Sequence, residues 1–294
     1  MFQNAICRHP AIQTVDYSPH TYLETHHWLK ASVILDKPAK RKLGTETYHG
    51  YGSRKNARTY MIDCLCSNLP DFEIPATDEA LIYSGWEALC ERFAQPVFFE
   101  KSPQYLGFPA SLDLIEEWLG KTKFKVKFIG LTRNPLSVQY SAWKLFHRDP
   151  KDRQFGWKEL QEEMLDFETK MPVGSFLHVK YEDLIQSTIQ SFHKIFNFIG
   201  VDPDVDLSSE IHRDSLNKWR DDPHFTLRLD DSVKQLALRF GYSEEELTNP
   251  EKPEPPILKK VFHQLIGKCK LAKAHLKDRY LKPIRLRLSN GRKT

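Results

Sequence analysis

No run of 18 consecutive apolar residues occurs in the chain, so nothing in it reads as a membrane-spanning helix. The opening residues, MFQNAICRHPAIQ, lack the basic region and apolar block of a secretion signal. Cysteine is scarce: five residues, at 7, 64, 66, 90 and 269, an odd number spread through 294. That excludes a disulfide framework and suits the reducing cytoplasm. Metal-ligand spacings are missing as well. Cys64 and Cys66 stand two apart in a helical stretch and face different sides, while His26-His27 has no cysteine or carboxylate at ligand spacing and reads as a surface pair. The pattern Gly-x-x-x-x-Gly-Lys-Ser/Thr is absent and no Walker-type aspartate closes a strand, which disfavours a P-loop nucleoside kinase. Internal repeats and low-complexity stretches are absent too.

Hydrophobic residues at 40% and aromatics at 12% supply a packed core, and 28% charged residues of both signs argue against disorder. The net charge of +4 is unevenly divided. Residues 256–294 carry twelve Lys/Arg against one acid, Asp278, a net of +11, which leaves 31 basic and 38 acidic residues and a net of −7 for the rest. A nucleic-acid-binding domain would spread its basic residues over a folded face, so no nucleic-acid partner is expected. Four prolines within 250–256 favour an extended linker. This divides the chain into an α/β domain at 1–249, a proline-rich linker at 250–256 and a basic tail at 257–294. Within the tail, Leu258, Phe262, Leu265, Cys269, Ala272, Leu276 and Tyr280 recur at steps of three or four. This predicts a basic amphipathic helix over 257–282, suited either to peripheral contact with an anionic membrane or to packing on the acidic body.

Before the linker, short apolar runs alternate with helical patterns. Val97–Glu100, Val126–Leu131 and Ser175–Lys180 read as strands, and 54–67, 78–93, 110–120, 135–147, 157–170, 186–199 and 232–241 as helices. The alternation predicts an α/β fold, a central parallel sheet with helices on both faces. Ligands of such sheets bind beyond the carboxyl ends of the strands. Three strand ends are rich in chemistry. Lys101-Ser-Pro103 places a lysine where a phosphate or sulfate is held as a point charge. Arg133 is the first charge beyond the second strand; Pro135 follows at a helix start, and Ser141 lies under two turns into that helix. This spacing would let guanidinium and hydroxyl converge on one anion; the alternative is that Arg133 pairs with a surface carboxylate and Ser141 packs against the sheet. The acids of Tyr181-Glu-Asp-Leu184 suit a helix start and read as structural. Trp86, Trp118, Trp143 and Trp157 fall at helical positions and read as core.

Together these motifs resemble the sulfotransferase superfamily, whose members transfer the sulfuryl group of 3′-phosphoadenosine-5′-phosphosulfate (PAPS). Arg133-Asn-Pro with Ser141 is similar to its 3′-phosphate motif, and Glu100-Lys-Ser-Pro103 to its Glu-Lys-(Ser/Thr)-Pro segment. Tyr181-Glu-Asp-Leu184 with Phe198-Ile-Gly200 resembles its Tyr-Glu-Asp-Leu…Phe-Leu-Gly block, and Ser215-Leu-Asn-Lys-Trp-Arg220 its Lys-Trp segment. The resemblance spans residues 1 to about 220. It implies PAPS as donor, a hydroxyl or amine acceptor with carbohydrates one class, and no metal. Arg133 and Ser141 would hold the 3′-phosphate, Lys218 and Trp219 would border the nucleotide, and Lys101 would face the transferring group.

The pattern departs from the family in two places. A loop like Pro-Arg-Ser-Gly-Thr-Thr, whose backbone cradles the 5′-phosphosulfate, has no counterpart; Leu43-Gly-Thr-Glu and Gly52-Ser-Arg-Lys-Asn come nearest and follow no apolar strand. Residues 1–10, ending in His9-Pro10, look like the helix that follows this loop in the family. The expectation is therefore a chain shortened at its N-terminus, with a non-catalytic sulfotransferase-like binding protein as the alternative. Carbohydrate members of the family also place a catalytic Glu a few residues after the His-Pro, where Ser18 stands here. His20 is the nearest titratable substitute for the base, as in the cytosolic branch of the family, with Asp16 and Glu24 within reach; the competing reading of His20 is a surface or structural histidine.

Overall fold

In chain order the elements are α1 (Phe2–Ile6), β1 (Ile12–Gln13), α2 (His27–Ile34), β2 (Lys40–Leu43), β3 (Glu46–His49), α3 (Arg54–Asn68), α4 (Asp78–Phe93), β4 (Val97–Phe98), α5 (Pro109–Leu119), β5 (Phe128–Thr132), α6 (Pro135–Phe146), α7 (Pro150–Thr169), β6 (Phe176–Lys180), α8 (Tyr181–Gln186), α9 (Thr188–Ile199), α10 (Lys218–Asp221) and α11 (Asp231–Arg239). The structure, a computed structural model, describes residues 2–20, 22–37, 40–43, 46–49, 52–146, 148–203, 216–252, 258, 265, 266 and 269. The helix expected over 257–282 lies outside the described residues apart from those last four, as does most of the linker.

The helices begin where local chemistry starts them. Ser53 accepts the Asn56 N–H at 3.3 Å ahead of α3, and Thr77 accepts that of Ala80 at 3.2 Å ahead of α4. Pro109, Pro135 and Pro150 open α5, α6 and α7, where a missing N–H leaves no bond unmade. Gly200, at φ 93°, ends α9 with its N–H on the Phe196 carbonyl at 2.8 Å.

The fold is α/β with parallel strand pairing. β1 pairs with β4 and β5 with β6, both parallel, while β2 and β3 form an antiparallel hairpin. Among the described residues the strands pair two by two and no single sheet joins them. β4 begins directly after Pro96 and β1 two residues after Pro10, and neither proline has an N–H to extend the ladder backwards.

Two compact units divide the chain: Met1–Thr132 with Lys158–Asp214, and Arg133–Trp157 with Ser215–Thr294. The first holds two cores. One is aromatic, with Trp28 5.4 Å from Trp86 and 5.8 Å from Trp118 between ring centroids. There α3 and α4 pack so closely that a Cβ on Gly85 would stand 2.6 Å from Leu65 Cδ1. The other joins Ala5 and Ile6 of α1, Ile12 of β1, Val179 of β6 and Leu184 of α8 to the α9 stripe Phe192, Ile195 and Phe196. His9 ties this core to the chain beyond α9: its Nε2 lies 2.7 Å from the Asp202 carbonyl, and its Nδ1 accepts the Ala11 N–H at 3.0 Å.

In the second unit α6 organises the packing. Asn134 Oδ1 accepts the N–H groups of Leu136 and Ser137 at 2.9 and 3.3 Å, capping the helix. Tyr140 and Trp143 lie 5.2 and 5.8 Å from the Phe225 ring, and α10 packs on α6. Lys252 Nζ then donates to three carbonyls, of Trp219, Asp222 and Phe225, at 2.6, 2.9 and 3.2 Å. Trp86, Trp118 and Trp157 are buried as expected, and Trp143 is half-buried.

Candidate active site

In the first unit the loop between β1 and α2 carries the chemistry. Leu23 and His26 adopt left-handed backbone, φ 54° and 50°, at about 1–2 kcal/mol each for a residue with a Cβ. These turns bring His20, Glu24 and His26 to one point. Ser18 pins the loop: its Oγ donates to the Glu24 carbonyl at 2.6 Å and accepts the His20 N–H at 3.0 Å. Tyr60 OH reaches the same carbonyl at 3.2 Å.

The Glu24 carboxylate is the hub. Its side chain is 5% exposed; Oε1 lies 2.8 Å from Lys101 Nζ, and Oε2 lies 3.1 Å from His26 Nε2 and 3.4 Å from His20 Nδ1. Burial by itself would raise its pKa. Hydrogen bonds from His26 and Lys101, with the Lys101 and His20 charges, outweigh burial and hold it at about 2. Glu24 is a standing anion at neutral pH.

A second carboxylate supports the loop from the β4 side. Glu100 Oε1 accepts from Thr25 Oγ1 at 2.8 Å and from Ser102 Oγ, and Ser102 Oγ in turn accepts the His26 N–H at 3.1 Å. Desolvation pushes Glu100 above the usual carboxylate range, against the pull of the Ser102 and Thr25 hydrogen bonds. Ser102, at φ −137° and ψ 83°, lies outside the helical region that Pro103 disfavours, and Pro103 opens a 3-10 turn at Pro103–Gly107.

The two candidate catalytic residues, His20 and Lys101, thus meet on one carboxylate although 81 positions apart. Their side chains are 29% and 33% exposed, so both reach solvent. Sequence reasoning kept Glu24 only as a neighbour of His20 and missed His26. The surface reading of His26-His27 is corrected here: both are buried, at 3% and 4%. So is the statement that no carboxylate stands at ligand spacing, since the left-handed turns fold Glu24 back onto His26. His27 lies close to the Ile82 carbonyl, Nε2 to O 2.9 Å, and burial lowers its pKa to about 4, so it is a neutral packing residue. Cys64 is buried and Cys66 exposed, on opposite sides of α3 as expected.

All four candidate nucleotide-binding residues fall in the second unit. Arg133 stands two residues before α6, its carbonyl accepting Trp157 Nε1–H at 3.1 Å, and Ser141 lies along α6. Lys218 and Trp219 open α10, the helix that packs on α6. Lys218 is exposed. Trp219 is 1% exposed, and its Nε1–H is buried without an acceptor among the described residues. Guanidinium, hydroxyl and ammonium groups are the donor set a phosphate dianion takes.

The family model described as "Sulfotransferase family" matches residues 7–205, more than half of the chain. His20, Glu24, His26, Lys101, Arg133 and Ser141 lie within the match and Lys218 and Trp219 beyond it. Similar solved structures include the sulfotransferase domain of the Synechococcus PCC 7002 olefin synthase, 19% identical over 74% of this chain and 76% of that one, TM-score 0.45. The sulfotransferase domain from the curacin biosynthetic pathway is 16% identical over 81% and 84%, TM-score 0.47. A sulfotransferase from Alicyclobacillus acidocaldarius is 14% identical over 72% and 81%, TM-score 0.41. No curated protein sequence matches the chain.

Proposed function

This chain belongs to the sulfotransferase family, and from that premise we propose that it transfers a sulfuryl group from PAPS to the hydroxyl or amine of an acceptor, carbohydrates being the first class to try. The observation that carries the reading is the meeting of His20 and Lys101 on the Glu24 carboxylate, at 3.4 and 2.8 Å.

PAPS, when bound, supplies the sulfuryl group: its sulfur–oxygen bond to the 5′-phosphate breaks as the acceptor's bond to sulfur forms, and 3′,5′-adenosine bisphosphate departs. His20 takes the acceptor's proton at Nε2, because Nδ1 is turned towards Glu24, which also balances the imidazolium that results. Lys101 has three N–H donors; the Glu24 contact uses one and leaves two for anionic sulfuryl oxygens. Arg133 and Ser141 hold the 3′-phosphate, with Lys218 and Trp219 on the nucleotide. These donors suit an anion, and the uncapped indole N–H of Trp219 suits an acceptor-rich ligand. No step of this scheme is assigned to a metal.

Isothermal titration with 3′,5′-adenosine bisphosphate tests the nucleotide half. Arg133→Ala is expected to weaken binding by at least about tenfold, the lower end for a lost charge-assisted hydrogen bond. Equal affinity in the two proteins removes Arg133 from this role. Nucleotide binding without transfer of labelled sulfuryl to any sugar, alcohol or amine would favour the sulfotransferase-like binding protein. The free thiols fit a cytoplasmic setting, with the basic residues 257–282 providing contact with anionic membrane.

A further inference from the structure

The cluster at the β1–α2 loop has a capability that sulfuryl transfer does not use. We propose that His20, Glu24 and His26 bind a single zinc ion, through His20 Nδ1, Glu24 Oε2 and His26 Nε2. These side chains each offer a ligand atom within 4.8 Å of the others. Glu24 Oε2 is 3.1 Å from His26 Nε2 and 3.4 Å from His20 Nδ1. A tetrahedral zinc with bonds of about 2.0–2.2 Å separates adjacent ligand atoms by roughly 3.3–3.5 Å. Two of the three edges therefore already stand close to zinc spacing; the third, from His20 Nδ1 to His26 Nε2, is within 4.8 Å, and the His20 ring is 29% exposed.

Two imidazoles and one carboxylate form a three-ligand zinc set with a fourth position for water. A single carboxylate oxygen is a poor match for calcium or magnesium, which take oxygen ligands. The surrounding groups hold the ligands as a metal's outer shell does. Lys101 binds the other Glu24 oxygen at 2.8 Å, Ser18 and Tyr60 hold the Glu24 carbonyl, and Ser102 anchors the His26 backbone. The Lys101 charge opposes a cation, but it sits on Oε1 while the metal takes Oε2. Zinc binding itself is independent of the sulfuryl-transfer reading. One consequence rests on that reading: zinc draws Glu24 away from its role beside His20, so it inhibits transfer.

Titration of the metal-free full chain with cobalt(II) alone, with no nucleotide or acceptor present, reads the site whether or not the chain transfers sulfuryl groups. The expected result is visible d–d absorption that saturates at one equivalent and is displaced by one equivalent of zinc. His20→Ala, chosen because its side chain is partly exposed, is expected to weaken cobalt binding by at least the about 10–100-fold typical of a lost supporting group. Its circular dichroism and melting temperature without metal check that it folds. Glu24→Gln, which keeps the shape of the side chain, is expected to lose the one-equivalent site as well. Absence of saturable binding, or equal affinity in the wild type and His20→Ala, overturns the proposal.

Discussion

Glu24 and His27, three positions apart, show how environment assigns different tasks to neighbouring titratable groups. Glu24 is ionised because the donors around it outweigh its burial. His27 is neutral because burial dominates and its Nε2 is spent on the Ile82 carbonyl. Glu24 is thus a positioning residue, and His20, turned towards it and partly exposed, is the catalytic base of the proposed reaction. His20→Ala is expected to lower kcat by about 10²–10⁴-fold, the range for a lost general base, and to leave affinity for 3′,5′-adenosine bisphosphate unchanged. Single-turnover kinetics beside nucleotide titration separates the two effects; full activity in the variant would remove His20 from the mechanism.

Among the elements, α6 is held to the 219–225 segment by an ion pair that responds to acid. Lys144 Nζ lies 2.6 Å from Asp222 Oδ2, and Tyr140 OH donates to the same oxygen at 3.1 Å. Burial would raise Asp222, but the Lys144 hydrogen bond and the His224 N–H hold it below its ordinary 3.8. A carboxyl with a depressed folded value binds its proton more weakly folded than unfolded. Its stabilisation is therefore complete above the ordinary aspartate value and is lost as pH falls through the folded one. Asp222→Asn is expected to lower the melting temperature at neutral pH and to flatten its decline below about pH 4. Parallel melting curves for the two proteins across that range would show that the pair contributes nothing. Lys144 is 44% exposed, so salt weakens the effect.

For the whole molecule the charge division matters most. A body of net −7 and a segment of net +11 cannot share one electrostatic preference. At about 1 kcal/mol per basic residue near an anionic leaflet, several lysines hold a protein reversibly at a membrane. The full chain is expected to co-sediment with phosphatidylserine vesicles at low salt more than a chain ending at Pro255 does. Equal partition would mean that the basic stripe packs on the acidic body instead.

Most of the longer helices were legible in the sequence because their signals are local, whereas α2 was not, since His26 starts it in left-handed backbone with no side-chain cap. Ser53, Thr77, Pro109, Pro135 and Gly200 act within one turn of where they stand. The start of α7 was missed because apolar spacing points to 157, whereas Pro150 opens the helix and Asp149 Oδ1 accepts the Lys151 N–H at 2.9 Å. Motif order along the chain likewise pointed to the family that residues 7–205 match. That His20, His26 and Lys101 meet on the Glu24 carboxylate follows from tertiary packing alone. Two non-glycine residues in left-handed backbone make the necessary turns against their intrinsic preference, and Lys101 arrives from 77 positions beyond Glu24. Contacts of that kind leave no local period or spacing, since packing and paired charges offset the strain only once the chain has folded.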